Sequence, residues 1–117
     1  MASGVINNIY GEVSLVASEG VTISTYSITK VGNLVAGIVD IMLTSSSNTW
    51  KNLFSVTPVP YFSNSYYPNA KVPSVRTGNG EYAGMVEINS DGLFRIYPIQ
   101  SLSNNSISFS FAYKTNS

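Results

Sequence analysis

The side chains in this sequence that are best suited to binding chemistry are the aromatic rings and amides between positions 50 and 69. Aromatic rings pack on the apolar C–H face of a sugar, and amide and hydroxyl groups bond to its hydroxyls. The prolines of this stretch lower the entropy that a loop loses on ordering, which favours a preformed surface. We therefore predict a saccharide-binding loop with the candidate contacts Trp50, Tyr61, Asn64, Tyr66 and Tyr67.

Two charged residues farther along the chain extend the predicted site. Arg76 suits a phosphate group, because its planar guanidinium makes paired, charge-assisted hydrogen bonds to an anion, and Glu81 adds an ionised acceptor. An alternative interpretation stays open, in which Phe62 and the tyrosines cap the end of a hydrophobic core. Asp91 lies in a predicted turn, where we expect its carboxylate to bond to the local backbone instead of a ligand.

The composition excludes several other kinds of functional site. The 117 residues include no Cys and no His, which removes thiolate and imidazole metal ligands, cysteine nucleophiles and the Ser-His-Asp triad. The six acidic residues are too isolated to form the carboxylate pair of a glycosidase or a calcium-binding cluster. We therefore expect no enzymatic activity, no cofactor and no metal ion.

Charge and hydropathy narrow the possible partners. Six basic and six acidic residues give a formal net charge of zero, and the basic residues are scattered, which disfavours nucleic-acid binding. No apolar run approaches the roughly 20 residues of a membrane span, so we expect no membrane insertion. Residues 1–4 have the composition of a start methionine followed by cloning residues, and residues 5–117 are expected to form a single domain of a longer chain.

The elements that must position these side chains are predicted to be β-strands. Residues 82–98 predict a hairpin, because both arms have one apolar face and an Asn-Ser-Asp-Gly run between them favours a tight turn. In the second arm, Phe94 and Ile96 alternate with Arg95 and Tyr97. Further strands are predicted over residues 7–16, 21–31 (with a bulge near 24–25), 50–56 and 72–75.

Two other stretches complete the predicted fold. Residues 34–44 are apolar on both strand faces, which indicates either a central strand covered by its own loops or a subunit interface. Residues 106–113 alternate between aromatic or aliphatic and small side chains, as expected of a strand with an aromatic inner face. The sum predicts an all-β, antiparallel, jelly-roll-like β-sandwich of about eight short strands.

Four pieces of the sequence occur in a recognisable order. They are residues 26–35, residues 53–56 leading into Pro58 and Pro60, residues 84–97, and a last strand rich in Ser and Phe. Together, from about residue 20 to residue 113, they resemble the C-terminal head domains of phage tail-fibre and baseplate receptor-binding proteins, especially those of phages that infect Gram-positive bacteria.

This resemblance implies a homotrimeric β-sandwich that recognises a host cell-surface saccharide, of the cell-wall polysaccharide or teichoic-acid type. The implied partners are that saccharide, further copies of the chain, and the rest of the fibre or baseplate chain. The implied location is the virion tail tip or baseplate, after synthesis in the host cytoplasm. Two alternatives stay open: a structural trimerisation module of a fibre without a ligand, and a lectin-like trimeric module of non-phage origin.

Overall fold

The computed structural model describes residues 3–8, 11–44, 49–62, 69–98 and 105–116. Within these residues the chain forms nine strands and no helix. Their sequences are rich in β-branched and aromatic residues, which pack well on a pleated surface. The strands are β1 (Ser3–Asn8), β2 (Gly11–Ala17), β3 (Val21–Val31), β4 (Leu34–Leu43), β5 (Lys51–Thr57), β6 (Asn69–Arg76), β7 (Tyr82–Asn89), β8 (Leu93–Pro98) and β9 (Asn105–Lys114).

All neighbouring strands pair antiparallel in one sheet, in the order β1-β2-β5-β8-β7-β6-β9-β4-β3. At the two edges of the sheet, β1 and β2 lie against β3, so the sheet nearly closes on itself. The closure buries the inner side chains of all the central strands, which removes their apolar surface from water. The predicted all-β, sandwich-like fold is confirmed.

The predicted hairpin is confirmed as β7 paired with β8. In its turn the Gly92 N–H donates to the Asn89 carbonyl oxygen at 2.9 Å. Asp91 stabilises the turn as expected, because its Oδ1 accepts a hydrogen bond of 3.0 Å from the Leu93 N–H. Gly92 has a φ of 91°, and a Cβ at this position would lie 2.6 Å from the Val56 carbonyl oxygen. Glycine is therefore required by both the backbone angle and the close approach of β5.

Two bulges change the register of the sheet. The predicted bulge in β3 is confirmed by a register shift against β4 between Ile23 and Thr25. A second bulge shifts β5 against β8 between Asn52 and Phe54, in the strand that the sequence predicted over residues 50–56 as regular alternation. The additional residue reverses the alternation of side chains. Trp50 and Asn52 are consequently exposed, whereas Phe54 is buried in the core.

The N-terminal part of the sheet differs from the sequence expectation. The predicted single strand over residues 7–16 is divided between β1 and β2, which pair with each other. Ser3 and Gly4, expected to precede the domain, lie in β1 opposite Val16 and Leu15. The prediction missed this reversal although Asn7, Asn8 and Gly11 are residue types that favour turns.

The core is centred on Phe94 of β8, whose side chain is fully buried. Its ring centroid lies 4.6 Å from that of Phe54 in β5 and 5.0 Å from that of Phe111 in β9. Phe109 and Tyr113 of β9 complete the cluster, each with its centroid 6.3 Å from that of Phe94. Since β8 and β9 are not neighbours in the sheet, these ring contacts cross the interior. They join two layers of the nearly closed sheet, one that contains β5 and β8 and one that contains β9 and β4.

The Tyr113 hydroxyl gives the core an anchor for the segment after β5. It donates a hydrogen bond of 2.9 Å to the Pro58 carbonyl oxygen. Burial raises the pKa of Tyr113 above the usual tyrosine range, because an ionised phenolate would be poorly solvated there. The protonated phenol holds the chain that leaves β5 against the end of β9.

The central position of Phe94 generates a stability prediction. We expect Phe94→Ala to lower the free energy of unfolding by roughly 3–5 kcal/mol, because the substitution leaves a cavity between the two layers. Urea denaturation measures this change, with Phe94→Leu as a milder variant and Tyr97→Ala, a half-exposed residue of the same strand, as the control. If the free energy of unfolding of Phe94→Leu is within about 0.5 kcal/mol of that of the unsubstituted protein, Phe94 is not the centre of the core.

Candidate binding site on the outer sheet face

The structure separates residues that the sequence grouped into one site. Trp50 directly precedes β5, and Arg76 and Glu81 flank the β6–β7 turn. The antiparallel registers place all three at the same end of the sheet, named the Trp50 end. Tyr61 follows β5 and lies at the opposite end, named the Tyr61 end, where its N–H donates to the Lys114 carbonyl oxygen at 2.8 Å. The seven residues of β5 separate the two ends by roughly 20 Å.

The other predicted positions have different outcomes. Asn64, Tyr66 and Tyr67 lie outside the described residues. Phe62 is partly buried against the core, as the alternative interpretation expected. Arg76 and Glu81 close a turn through their backbones, since the Arg76 N–H donates to the Glu81 carbonyl oxygen at 2.7 Å. Within the described part of the chain their side chains form no hydrogen bond or ion pair, which leaves them available to a ligand.

Trp50 belongs to a group of aromatic and charged side chains on the outer face of β5 and β8. The Arg95 guanidinium carbon lies 4.3 Å from the centroid of the Trp50 ring, in cation–π geometry. The Tyr97 ring lies 5.3 Å from the Trp50 ring at an interplanar angle of 59°. The exposed fractions are 36% for Trp50 and 48% for Tyr97. The two rings therefore present apolar surface beside a cation.

A buried carboxylate holds Arg95 in this position. Glu87 of β7 lies opposite Arg95 in the sheet register, and its Oε1 accepts a hydrogen bond of 2.7 Å from Arg95 Nε. On the other side, Lys71 Nζ of β6 lies 3.7 Å from Glu87 Oε2. Only 6% of the Glu87 side chain is exposed, so its charge has lost most of its water and depends on these two cations.

These side chains, from β6, β7, β8 and the residue before β5, form a continuous surface. It is named the Trp50 platform: Trp50, Lys71, Glu87, Arg95 and Tyr97. Two cations and one carboxylate leave it with one net positive charge. Arg95 uses Nε for Glu87, and its two Nη groups have no partner in the described part of the chain, so their donors are available. The platform can therefore stack against a sugar ring and donate hydrogen bonds to hydroxyl or phosphate oxygens.

A cleft of about 410 Å³ opens beside the platform at the Trp50 end. Its lining is polar, and the Lys51 ammonium fixes one wall by donating a hydrogen bond of 2.9 Å to the Glu19 carbonyl oxygen. The cleft is lined by Ser18, Glu19, Trp50, Lys51 and Asn52. Its volume is within the range of roughly 300–1,000 Å³ that is usual for small-molecule sites.

The sequence pattern predicted Trp50 as a site residue but not its neighbours Lys71, Glu87, Arg95 and Tyr97. The alternation in the predicted hairpin already placed Arg95 and Tyr97 on the face opposite the core. What the sequence lacked was the pairing of β5 with β8, which brings Trp50 beside them. The strand order would have identified these neighbours. It depends, however, on contacts between segments that are distant along the chain.

The outer face of β4 is the second notable surface, named the β4 face. Along β4, Val35, Val39, Ile41 and Leu43 are buried. On the opposite face, Leu34, Ile38 and Met42 are 46%, 53% and 40% exposed. The paired positions on β9 are mostly small residues, with Ser110 opposite Ile38. Of the two apolar faces predicted for residues 34–44, one therefore lies in the core and the other is exposed to solvent. An exposed apolar patch of this kind is typical of an interaction site.

The described residues contain no group of three or more acidic side chains that could hold a metal ion. Among the same residues, no helix is long and apolar enough to cross a membrane.

Comparisons with known proteins identify a solved structure with a similar fold. A scan against protein-family models finds no match, and a search of curated proteins finds none. Among solved structures, the crystal structure of the head domain of lactococcal phage bIL170, a receptor-binding domain, is similar to this chain, with a TM-score of 0.57 and 13% sequence identity. The match covers 85% of this chain and 92% of that one. This chain has the fold of that phage head domain. The resemblance inferred from the sequence is confirmed at the level of the fold.

The Glu87 contacts generate a prediction for the platform. Arg95→Ala leaves the Glu87 carboxylate with only the more distant Lys71, so we expect it to lower the free energy of unfolding by roughly 2 kcal/mol. Adding Glu87→Gln should restore at least half of this loss, because a neutral amide does not require the cation. Urea denaturation of the single and double variants measures both effects.

The control for this experiment is Arg76→Ala, which removes an arginine without a side-chain partner among the described residues and should change stability by less than about 0.5 kcal/mol. Trp50 is the only tryptophan in the chain, so its fluorescence reports directly whether the guanidinium has left the ring. A double variant no more stable than Arg95→Ala would show that Glu87 does not depend on Arg95.

Proposed function

We propose that this chain is a phage receptor-binding head domain that recognises a saccharide on the host cell surface, of the cell-wall polysaccharide or teichoic-acid type. The observation that carries the proposal is the Trp50 platform, an exposed aromatic and cationic surface on a domain with the fold of the bIL170 head. The domain acts in binding and not in catalysis, at the tail tip or baseplate of the virion.

The platform supplies the three contacts that such a receptor requires. The Trp50 and Tyr97 rings stack against the C–H face of a sugar, and Arg95 donates to its hydroxyls or to a linking phosphate. Glu87 fixes the guanidinium before the ligand arrives, which reduces the entropy lost on binding. Arg76 and Glu81, at the same end of the sheet, extend the contact to neighbouring sugar residues. Asn64, Tyr66 and Tyr67 stay candidates of the predicted loop.

The proposed functional unit is a homotrimer attached to the rest of a fibre or baseplate chain. Its interface is the β4 face, because three exposed apolar side chains on a strand whose β9 neighbours are mostly small can pack closely against another copy. Asp40 lies on this face and accepts a hydrogen bond of 3.1 Å from Thr25 Oγ1, so its charge is partly satisfied within one subunit. Three linked sites raise the overall affinity of individually weak saccharide contacts through avidity.

A second candidate function is a structural trimerisation module without a ligand, favoured by the β4 face alone. Adsorption to host cells distinguishes it from the first, because a structural module forms trimers and adsorbs to nothing. A lectin-like module of non-phage origin would bind glycans from other sources instead of bacterial cell walls.

The binding prediction concerns Trp50. We expect Trp50→Ala to weaken binding to purified cell-wall polysaccharide about tenfold, a loss of roughly 1.4 kcal/mol, with an unchanged melting temperature because the side chain is outside the core. Val16→Ala removes another exposed side chain, on β2 and outside the platform, and should bind normally. If Trp50→Ala melts earlier and still binds fully, the ring is structural and the site lies elsewhere.

The oligomer prediction concerns Ile38. We expect the unsubstituted chain to be a trimer at micromolar concentration and Ile38→Asp to be a monomer, because the substitution would bury a carboxylate in the interface. Light scattering measures both states. Val16→Asp is the matched control, since Val16 is 56% exposed and lies on β2, away from the β4 face. A monomeric unsubstituted chain would rule out the trimer.

A further inference from the structure

The Tyr61 end of the sheet has its own concavity, separate from the Trp50 platform. It has a volume of about 190 Å³ and is named the Tyr61 pocket. The β3–β4 turn, the segment after β5 and the end of β9 each contribute to its walls. The lining residues are Asn33, Tyr61, Lys114, Thr115 and Asn116.

Backbone hydrogen bonds join these three segments into a fixed shape. The Thr115 N–H donates to the Asn33 carbonyl oxygen at 2.8 Å, and the Tyr61 N–H donates to the Lys114 carbonyl oxygen at 2.8 Å. The Tyr113 hydroxyl fixes the start of the same segment through Pro58. The pocket is therefore preformed, which reduces the cost of ordering it around a ligand.

Four of the five lining side chains, those of Asn33, Tyr61, Lys114 and Asn116, are available to a ligand. Asn33, Lys114 and Asn116 are exposed and Tyr61 is 50% exposed. Their polar side-chain groups form no hydrogen bond or ion pair with other described residues. The concavity thus presents one aromatic ring, one ammonium group and two amides, all without partners in the described part of the chain.

We propose that the Tyr61 pocket binds a single sugar residue that carries an anionic group. Tyr61 stacks on the sugar ring, and Asn33 and Asn116 bond to its hydroxyls, as aromatic and amide side chains do in small-ligand sites. Lys114 is the one charged residue of the lining and therefore selects an anion. The volume is below the roughly 300–1,000 Å³ of drug-sized sites, which limits the occupant to about one residue of a glycan.

A second cation strengthens the preference for an anion. Lys30 donates a hydrogen bond of 2.5 Å to the Gly32 carbonyl oxygen, one residue before Asn33, so its charge is held at the same turn. None of the five lining residues is acidic. A phosphate or a carboxylate on the sugar would provide the required negative charge, and the shared chemistry is an anionic, hydroxylated ring.

This site and the Trp50 platform do not depend on each other, because they lie at opposite ends of β5. Nuclear magnetic resonance of the labelled full chain distinguishes them, since the backbone amides of each end give separate signals. The probes are glucose 1-phosphate, glucuronic acid and, as the uncharged comparison, glucose. We expect both anionic probes to bind with dissociation constants near 1 mM, which corresponds to about −4.1 kcal/mol, and to shift the amides of residues 33, 61 and 114–116.

Variants test which side chains carry the binding. Lys114→Gln should weaken both anionic probes about tenfold and leave glucose unaffected, and Tyr61→Ala should weaken all three. The matched controls at the other end of the sheet are Lys51→Gln and Tyr82→Ala, which should leave the shifts unchanged. Any variant that loses the dispersed spectrum of a folded protein is replaced by Tyr61→Leu or Lys114→Met.

Two results would overturn the proposal. Absence of shifts at the pocket with millimolar glucose 1-phosphate and glucuronic acid would exclude the site. Equal shifts with inorganic phosphate alone would show that the pocket attracts anions without recognising a sugar. Neither result tests the proposed binding at the Trp50 platform. That proposal would be contradicted by a Trp50→Ala variant that binds cell walls normally.

Discussion

Burial of the Phe94 ring between the two layers is the constraint on which the rest of this structure depends. Phe94 contacts aromatic rings of both β5 and β9, so it fixes which face of β8 points inward. Because side chains alternate along a strand, Arg95 and Tyr97 must then point outward. The bulge in β5 turns Trp50 to the same outer face. The core packing and the platform are thus two consequences of one strand orientation.

The platform has an electrostatic cost that its geometry offsets. Glu87 is flanked along β7 by the buried residues Val86 and Ile88, and its own carboxylate is nearly inaccessible to water. A desolvated carboxylate without partners would favour unfolding, whereas two adjacent cations make it tolerable. In return, the arginine side chain is fixed over the Trp50 ring instead of moving freely in solvent. Such fixed donors are what a weak saccharide site requires, because sugars offer little apolar area to bury.

The β4 face follows from the same alternation on the other layer. Residues such as Val39 and Ile41 fill the core, and apart from Asp40 the large side chains that alternate with them, Leu34, Ile38 and Met42, are apolar. Exposed apolar side chains in water do not stabilise a monomer, which is why we propose that this surface is covered in a trimer. The proposed trimer interface lies on β4, and the proposed binding surface lies on β5 and β8. These surfaces are separate, so the platform stays accessible in the proposed trimer.

Much of the fold was determined by the sequence alone. Alternating apolar residues, the Asn-Ser-Asp-Gly turn and the parity change near residue 24 predicted the strands, the hairpin and the β3 bulge, because these features depend on neighbours close along the chain. The chemistry of Trp50 was also evident from its residue type. Only the tertiary structure decided which strands pair, and therefore that Trp50 joins Arg95 and Tyr97 while Tyr61 lies at the opposite end. Such pairings depend on the fit of side chains from distant segments in one closed core, and local periodicity carries no information about that fit.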